Sequence, residues 1–124
     1  MLKEKIWEAV QISEREEERN LIKTLEETAG QDLLASGIQA VWRDAMSGKG
    51  NVLVVEKDLS IPGFTAEDDP YHLRLQPPTG QHRILTDAVD DLIELVLEKN
   101  GEVRFVGNGM LARFNGIAMI NRYV

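Results

Sequence analysis

The sequence contains no cysteine among its 124 residues, which excludes a disulfide framework, a thiolate metal site and a cysteine nucleophile. It also lacks a long hydrophobic run, since its apolar stretches are a few residues long and a membrane-spanning helix needs about 20. The first residues mix both charges and do not form the apolar region of a signal peptide. These absences predict a cytoplasmic protein without membrane contact.

Positive charge is scarce as well, with 14 basic against 21 acidic residues and a net charge of −7. Proteins that bind nucleic acid gain most of their affinity when Lys and Arg neutralise phosphates. The densest basic group here, Arg15, Arg19 and Lys23, is interleaved with glutamates. The composition therefore favours a protein partner over RNA or DNA.

The sequence shows no motif typical of catalysis. The Gly-Asn-Gly segment at residues 107–109 lacks the third glycine of a dinucleotide fingerprint and the Gly-Lys-Ser/Thr of a P-loop, which favours a tight turn with positive φ. His72 and His82, with Asp68 and Asp69 nearby, could form a metal site, but their spacing matches no ligand motif. We therefore expect no enzyme activity, no cofactor and no metal.

The chain does contain helical and strand-like segments in alternation, which predicts a single α/β domain over residues 1–124. Apolar residues at helical spacing predict a leading helix within 1–29 and a second helical region that kinks or restarts near Ser36-Gly37. Trp42 is expected in the core. The predicted helices span 2–29, 32–47 and 86–100, and the predicted strands span 51–56, 102–106 and 117–123.

Residues 57–83 hold all four prolines of the chain and three clusters of turn-forming residues. This composition predicts a long, loop-rich insertion. Within it, residues 71–75 alternate between polar and apolar side chains, which indicates a short edge strand. A connection of this length in a compact domain is typical of a functional or mobile segment.

Two stretches carry a resemblance to a known family. In the first, Gly37, Val41 and Ala45 mark a glycine-led helix that precedes the strand Leu53-Val54-Val55. In the second, Gly116-Ile-Ala-Met-Ile-Asn-Arg-Tyr123 is a closing strand. Both stretches resemble the C-terminal domain of the archaeo-eukaryotic peptide-chain release factors and Pelota, and they are closest to the bacterial members of that superfamily.

The resemblance implies a three-layer α/β/α sandwich with a mixed, roughly four-stranded sheet, similar to the kink-turn RNA-binding ribosomal protein fold. In the family this domain is chiefly a docking module for a translational GTPase or a recycling ATPase. Peptidyl-tRNA hydrolysis belongs to a separate domain with a Gly-Gly-Gln motif. Gly30-Gln31 and Gly80-Gln81 lack the preceding glycine, so the resemblance does not extend that activity to this chain.

The resemblance therefore predicts a non-catalytic interaction domain of a translation- or ribosome-associated protein. Its expected contact surfaces are the polar side of the first helix and the 57–83 segment. The predicted partner-binding residues are Arg15, Glu16, Arg19, Phe64, Tyr71 and His72.

The alternative is an RNA-binding module of the kink-turn kind. Such relatives use a glycine-rich, basic helix start, whereas Gly37 is followed by Ile38 and Gln39. An RNA site would have to bring basic side chains from distant parts of the chain into one patch. The side chains available for it are Arg43, Lys49, Arg104 and Arg113.

Overall fold

A computed structural model describes residues 15–123 of the chain, with side chains from residue 17 onwards. The helices are α1 (Arg15–Ala29), α2 (Ile38–Met46), α3 (Ala88–Glu98) and a short 3-10 helix (Ala112–Phe114). The strands are β1 (Leu34–Ser36), β2 (Gly50–Glu56), β3 (Gly63–Ala66), β4 (Asp69–Arg74), β5 (His82–Leu85), β6 (Glu102–Val106) and β7 (Ile117–Asn121). No helix within this part of the chain has the length and apolar character needed to cross a membrane.

The main sheet has four strands in the order β1-β7-β2-β6. Strand β7 runs antiparallel to both β1 and β2, and β2 runs parallel to β6. Leu53, in the middle of β2, lies opposite Met119 of β7 and Val103 of β6. The predicted mixed, four-stranded sheet is therefore confirmed, with its closing strand ending at Asn121 rather than at residue 123.

Helices cover both faces of this sheet, as the predicted three-layer arrangement requires. Helices α2 and α3 pack on one face, where the larger core lies. Its bulkiest fully or nearly fully buried members are Trp42, Leu53, Ile93, Phe105 and Met119. On the other face, Leu25 of α1 packs in a smaller core with Val54, Val106 and Ala118. Continuous apolar strands such as β2 are typical of a sheet covered on both faces.

The start of the predicted second helix is wrong, because residues 34–36 form strand β1 instead. Leu34 and Ala35 pair with β7, and Gly37 then adopts a φ of 82°, which separates the strand from a helix that begins at Ile38. The third helix begins as predicted, with the Asp87 side chain accepting a hydrogen bond from the Val89 N–H at 3.0 Å.

Residues 57–83, predicted as a loop-rich insertion with one edge strand, contain more strand than expected. They contain strands β3 and β4 and reach into β5, which together form a three-stranded antiparallel sheet in the order β4-β3-β5. The edge strand expected at 71–75 is confirmed as β4. Pro70 is tolerated there because an edge strand does not need every backbone N–H for pairing. The leading-helix prediction for residues 2–14 lies outside the described residues.

Candidate functional site

The three-stranded sheet has one packed face and one open face. On the packed face Gly63, Thr65, Leu73 and Leu85 are buried toward the larger core. A side chain on Gly63 would not fit, because its Cβ would lie 2.8 Å from Leu73 Cδ1. This close approach fixes which face of the small sheet is turned inward.

The open face, called the outer face below, carries a row of Arg74, Phe64 and Ile84, which lie opposite one another on β4, β3 and β5. Ile84 is 70% exposed and Phe64 is half-buried. The His82 ring meets Phe64 edge-on, with ring centroids 5.7 Å apart. An antiparallel sheet with one solvated face usually presents polar side chains there, so this mixture of apolar and cationic groups is unusual for a surface without a partner.

Helix α2 holds the small sheet in place through β4. The Trp42 indole N–H donates to the Pro70 carbonyl at 2.9 Å, and the Gln39 side-chain amide donates to the Leu73 carbonyl at 3.0 Å. Because these bonds reach the free edge of β4, the helix covers that edge. The outer face is therefore presented on a fixed support.

Two arginines of the small sheet form no ion pair within residues 15–123: Arg74 lies on the outer face, and Arg83 lies opposite Thr65, on the other face of the sheet. The Arg74 Nε is buried and has no hydrogen-bond partner among residues 15–123. Arg83 on β5 is exposed and forms no ion pair within the same range. A buried donor without a partner costs free energy, about 1–3 kcal/mol for a typical group.

Three of the six predicted partner-binding residues lie on the small sheet. Phe64 lies on β3, and Tyr71 and His72 lie exposed on β4. Arg19 is exposed on α1, on the opposite side of the four-stranded sheet. Arg15 and Glu16 lie in the first turn of α1, and their side chains are outside what the structure describes. The two expected contact surfaces are thus separate surfaces.

The positions of Arg74, His82 and Ile84 on the outer face were not predicted from the sequence. A signal existed, because residues 82–85 read His-Arg-Ile-Leu and follow a Pro-Pro-Thr-Gly turn. The signal was weak because the first three residues of β5 are exposed, so the strand lacks the alternation of a half-buried strand.

The two histidines considered as metal ligands do not lie together. His72 is on β4 and His82 is on β5, with β3 between them. Neighbouring strands are about 4.8 Å apart, so the two backbones are separated by about 10 Å. His72 Nδ1 lies 3.9 Å from the Asp69 carboxylate. Within residues 15–123, no three His, Cys, Asp or Glu side chains are placed to hold a metal ion.

The basic side chains proposed for an RNA site do not form one patch. Arg43 and Lys49 lie at the end of the main sheet where β2 begins, whereas Arg113 lies at the opposite end, on the 3-10 helix before β7. Arg43, Arg104 and Arg113 form ion pairs with, in order, Asp44, Glu102 and Glu26. Paired and scattered cations release few counterions from RNA, so this arrangement does not favour the RNA alternative.

A cleft of about 440 Å³ lies between α1 and the main sheet, on the side away from the small sheet. Leu21 of α1 lines it together with Val52 and Ile120 of the sheet. Its cation, Arg104, is paired with Glu102 at 3.6 Å. The cleft therefore differs from the outer face, because its arginine is already paired.

No protein-family model matches the sequence, and no curated protein sequence matches it. Among solved structures, the chain is similar to the C-terminal domain of Peptide Chain Release Factor from Methanosarcina mazei, with a TM-score of 0.62 and 24% identity over 86% of this chain and 81% of that one. It is also similar to the archaeal translation termination factor aRF1, with a TM-score of 0.50 and 16% identity over 85% of this chain and 26% of that one. Neither neighbour supports the expected place among bacterial members. The chain shares the fold of a release-factor C-terminal domain.

Proposed function

We propose that this chain is a non-catalytic protein-interaction domain of a translation-associated factor, acting in the cytoplasm. The observation that carries the proposal is the outer face, where Ile84, Phe64 and the unpartnered Arg74 lie in one row on a firmly held sheet. The fold shared with release-factor C-terminal domains supports the link to translation. The proposal assigns no reaction to the domain.

The chemistry of the outer face fits a protein surface with acidic and apolar groups. Covering Ile84 and Phe64 removes apolar area from water, which contributes about 25 cal/mol for each Å² buried. The Arg74 guanidinium forms no ion pair within residues 15–123, so a carboxylate placed against it would form a charge-assisted hydrogen bond. Partners of the proposed classes are a translational GTPase, a recycling ATPase or a ribosome component.

Affinity capture from a lysate of the source organism, with sedimentation on purified ribosomes, tests the proposal. The outer-face variant combines Arg74→Glu with Ile84→Glu. A matched variant reverses the charges of Arg15, Glu16 and Arg19 on the first helix, the other surface expected from the sequence. Circular dichroism confirms that both variants are folded.

We expect the wild-type protein to enrich a translation factor or ribosomal component, and the outer-face variant to lose it. The helix variant should retain it. Loss in the helix variant alone would move the contact surface to α1. If no translation component is enriched by the wild type, the docking proposal is wrong.

A further inference from the structure

The two edges of the small sheet differ in what lies beside them. The free edge of β4 is covered by α2, whose Trp42 and Gln39 side chains bond to the Pro70 and Leu73 carbonyls. Within residues 15–123, strand β5 pairs with β3 alone, and His82, Arg83 and Ile84 on it are all exposed. Strand β5 is therefore the open edge of this sheet, and open edges are templates for another strand.

The hydrogen-bond pattern shows which backbone groups of β5 are available. In an antiparallel pair, residues that exchange hydrogen bonds alternate with residues that do not. The Glu67 N–H donates to the Gln81 carbonyl at 3.1 Å, which makes this a bonded pair. Two residues further along, Thr65 and Arg83 are then bonded.

The backbone N–H and C=O groups of His82 and Ile84 therefore point away from β3, toward open solvent. The same alternation directs the Leu73 carbonyl away from β3 on the other side, where Gln39 bonds to it at 3.0 Å. By contrast, no group within residues 15–123 bonds to the outward N–H and C=O groups of His82 and Ile84. Helix α2 covers the β4 edge, whereas the β5 edge is free to pair with another strand.

We propose that the β5 edge binds an extended, acidic segment of the partner protein as an additional strand. This inference rests on the proposed docking function and names the chemistry of the partner. The new strand would bond to the backbone of His82 and Ile84. A residue opposite Ile84 would lie on the outer face beside an exposed apolar side chain, and a residue opposite Arg83 would face an unpaired cation.

The incoming segment therefore alternates, with apolar residues opposite His82 and Ile84 and an acidic residue opposite Arg83. A second copy of this chain fits the edge less well. Two β5 strands paired antiparallel about residue 83 would place Arg83 of one copy opposite Arg83 of the other, and like charges directly opposite each other on adjacent strands are destabilising. Charge complementarity thus selects an acidic partner strand.

The probe for the test is a synthetic eight-residue peptide of alternating glutamate and valine, titrated into the whole protein. Amide chemical shifts in ¹⁵N-labelled protein give the site, and calorimetry gives the affinity. We expect the shifts to concentrate on residues 81–85. Replacing every glutamate of the peptide by lysine should weaken binding by about tenfold or more, because Arg83 then faces like charge.

Two further changes separate backbone pairing from side-chain contact. A peptide methylated on the backbone nitrogens that face β5 should lose binding to the unchanged protein. Ile84→Pro removes one outward N–H without breaking a bond to β3, and it should abolish binding. Ile84→Thr keeps that N–H, and it should retain binding with an affinity reduced by a few-fold.

Undiminished binding of the methylated peptide, or shifts confined to residues outside β5, would overturn the strand-addition proposal. Binding of the lysine peptide or of an RNA oligonucleotide with equal affinity would overturn the acidic selectivity. If capture from the lysate depends on Ile84 but the peptide does not bind, the docking function is supported and strand addition at β5 is wrong. If the peptide binds but no translation component is captured, strand binding at β5 is supported and the proposed link to translation is wrong.

Discussion

The two β-sheets of this protein bury their side chains to different extents. In the four-stranded sheet, helices cover both faces, and strands such as β2 and β7 are buried for most of their length. In the three-stranded sheet, only one face is packed, and an aromatic ring, an exposed isoleucine and an unpartnered arginine lie on the other. The main sheet accounts for most of the buried apolar area and hence for stability, while the small sheet presents the unsatisfied surface. The difference assigns stability and recognition to separate parts of one short chain.

A cavity in the main core should have the largest effect on stability and tests the contrast between the two sheets most directly. Phe105 of β6 is 1% exposed, so Phe105→Ala should lower the free energy of unfolding by about 3–5 kcal/mol. Urea denaturation measures it. On the outer face, Ile84→Ala should change the free energy by less than about 0.5 kcal/mol. Equal losses in the two variants would show that the small sheet contributes to stability as the main sheet does.

The next effect concerns the attachment between the two sheets. Trp42→Phe removes the N–H that bonds to the Pro70 carbonyl and should lower the free energy of unfolding by about 1–2 kcal/mol. Hydrogen exchange should accelerate more at residues 63–85 than at residues 50–56. Leu25→Val, in the core on the α1 side, is the control. In this variant, hydrogen exchange should not accelerate more at residues 63–85 than at residues 50–56. Uniform acceleration in the Trp42 variant would mean that both sheets open together.

A smaller effect is expected where α3 meets the segment that leads into β3. The Asp87 carboxylate accepts hydrogen bonds from the Val89 N–H at 3.0 Å and the Ile61 N–H at 3.1 Å. Asp87→Ala should therefore lower the free energy of unfolding by about 1 kcal/mol. Asp87→Asn keeps an acceptor oxygen and should lose less, as thermal unfolding of the pair would show. Identical melting of the Ala variant and the wild type would rule out a stabilising cap.

The smallest effect on stability is expected on the outer face itself. Arg74→Met keeps an apolar stem and removes a guanidinium whose Nε has no partner within residues 15–123, so the free energy of unfolding should stay within about 0.5 kcal/mol or rise. Arg104→Met, which breaks an exposed ion pair with Glu102, is the matched control. Denaturant titration compares them. A clear destabilisation by Arg74→Met alone would show that the arginine has a structural role.

The same contrast explains what could be predicted from the sequence. Strand β2 was predictable because both of its faces are covered, which requires the continuous apolar run Val52–Val55. Helix α3 was predictable because Asp87 and Asn100 mark its two ends, the latter with a φ of 66°.

The small sheet could not be predicted in the same way, because its order depends on distant residues. Strands β3 and β5 have four residues each, and the bonds from Trp42 and Gln39 that hold β4 come from a helix some thirty residues earlier in the chain. The exposed face of β5 removes its alternation, so the prolines nearby indicated loops. Phe64, Tyr71 and His72 were placed on a contact surface from the character of the segment, and their role stays a prediction.

The position of β7 has a consequence for how the chain folds during synthesis. This strand lies between β1 and β2, although it follows both in the sequence. Among the described strands β1 pairs with β7 alone, so it stays unpaired with them until residues 117–121 leave the ribosome. Contacts between such distant segments slow folding, because the intervening chain must first be drawn together. The strands of the small sheet and helix α3 end by residue 98, and Gln39 and Trp42, which hold β4, precede them in the chain, so these elements can form earlier. We therefore expect the nascent domain to gain its recognition surface before its main sheet closes, with β7 inserting as the final step.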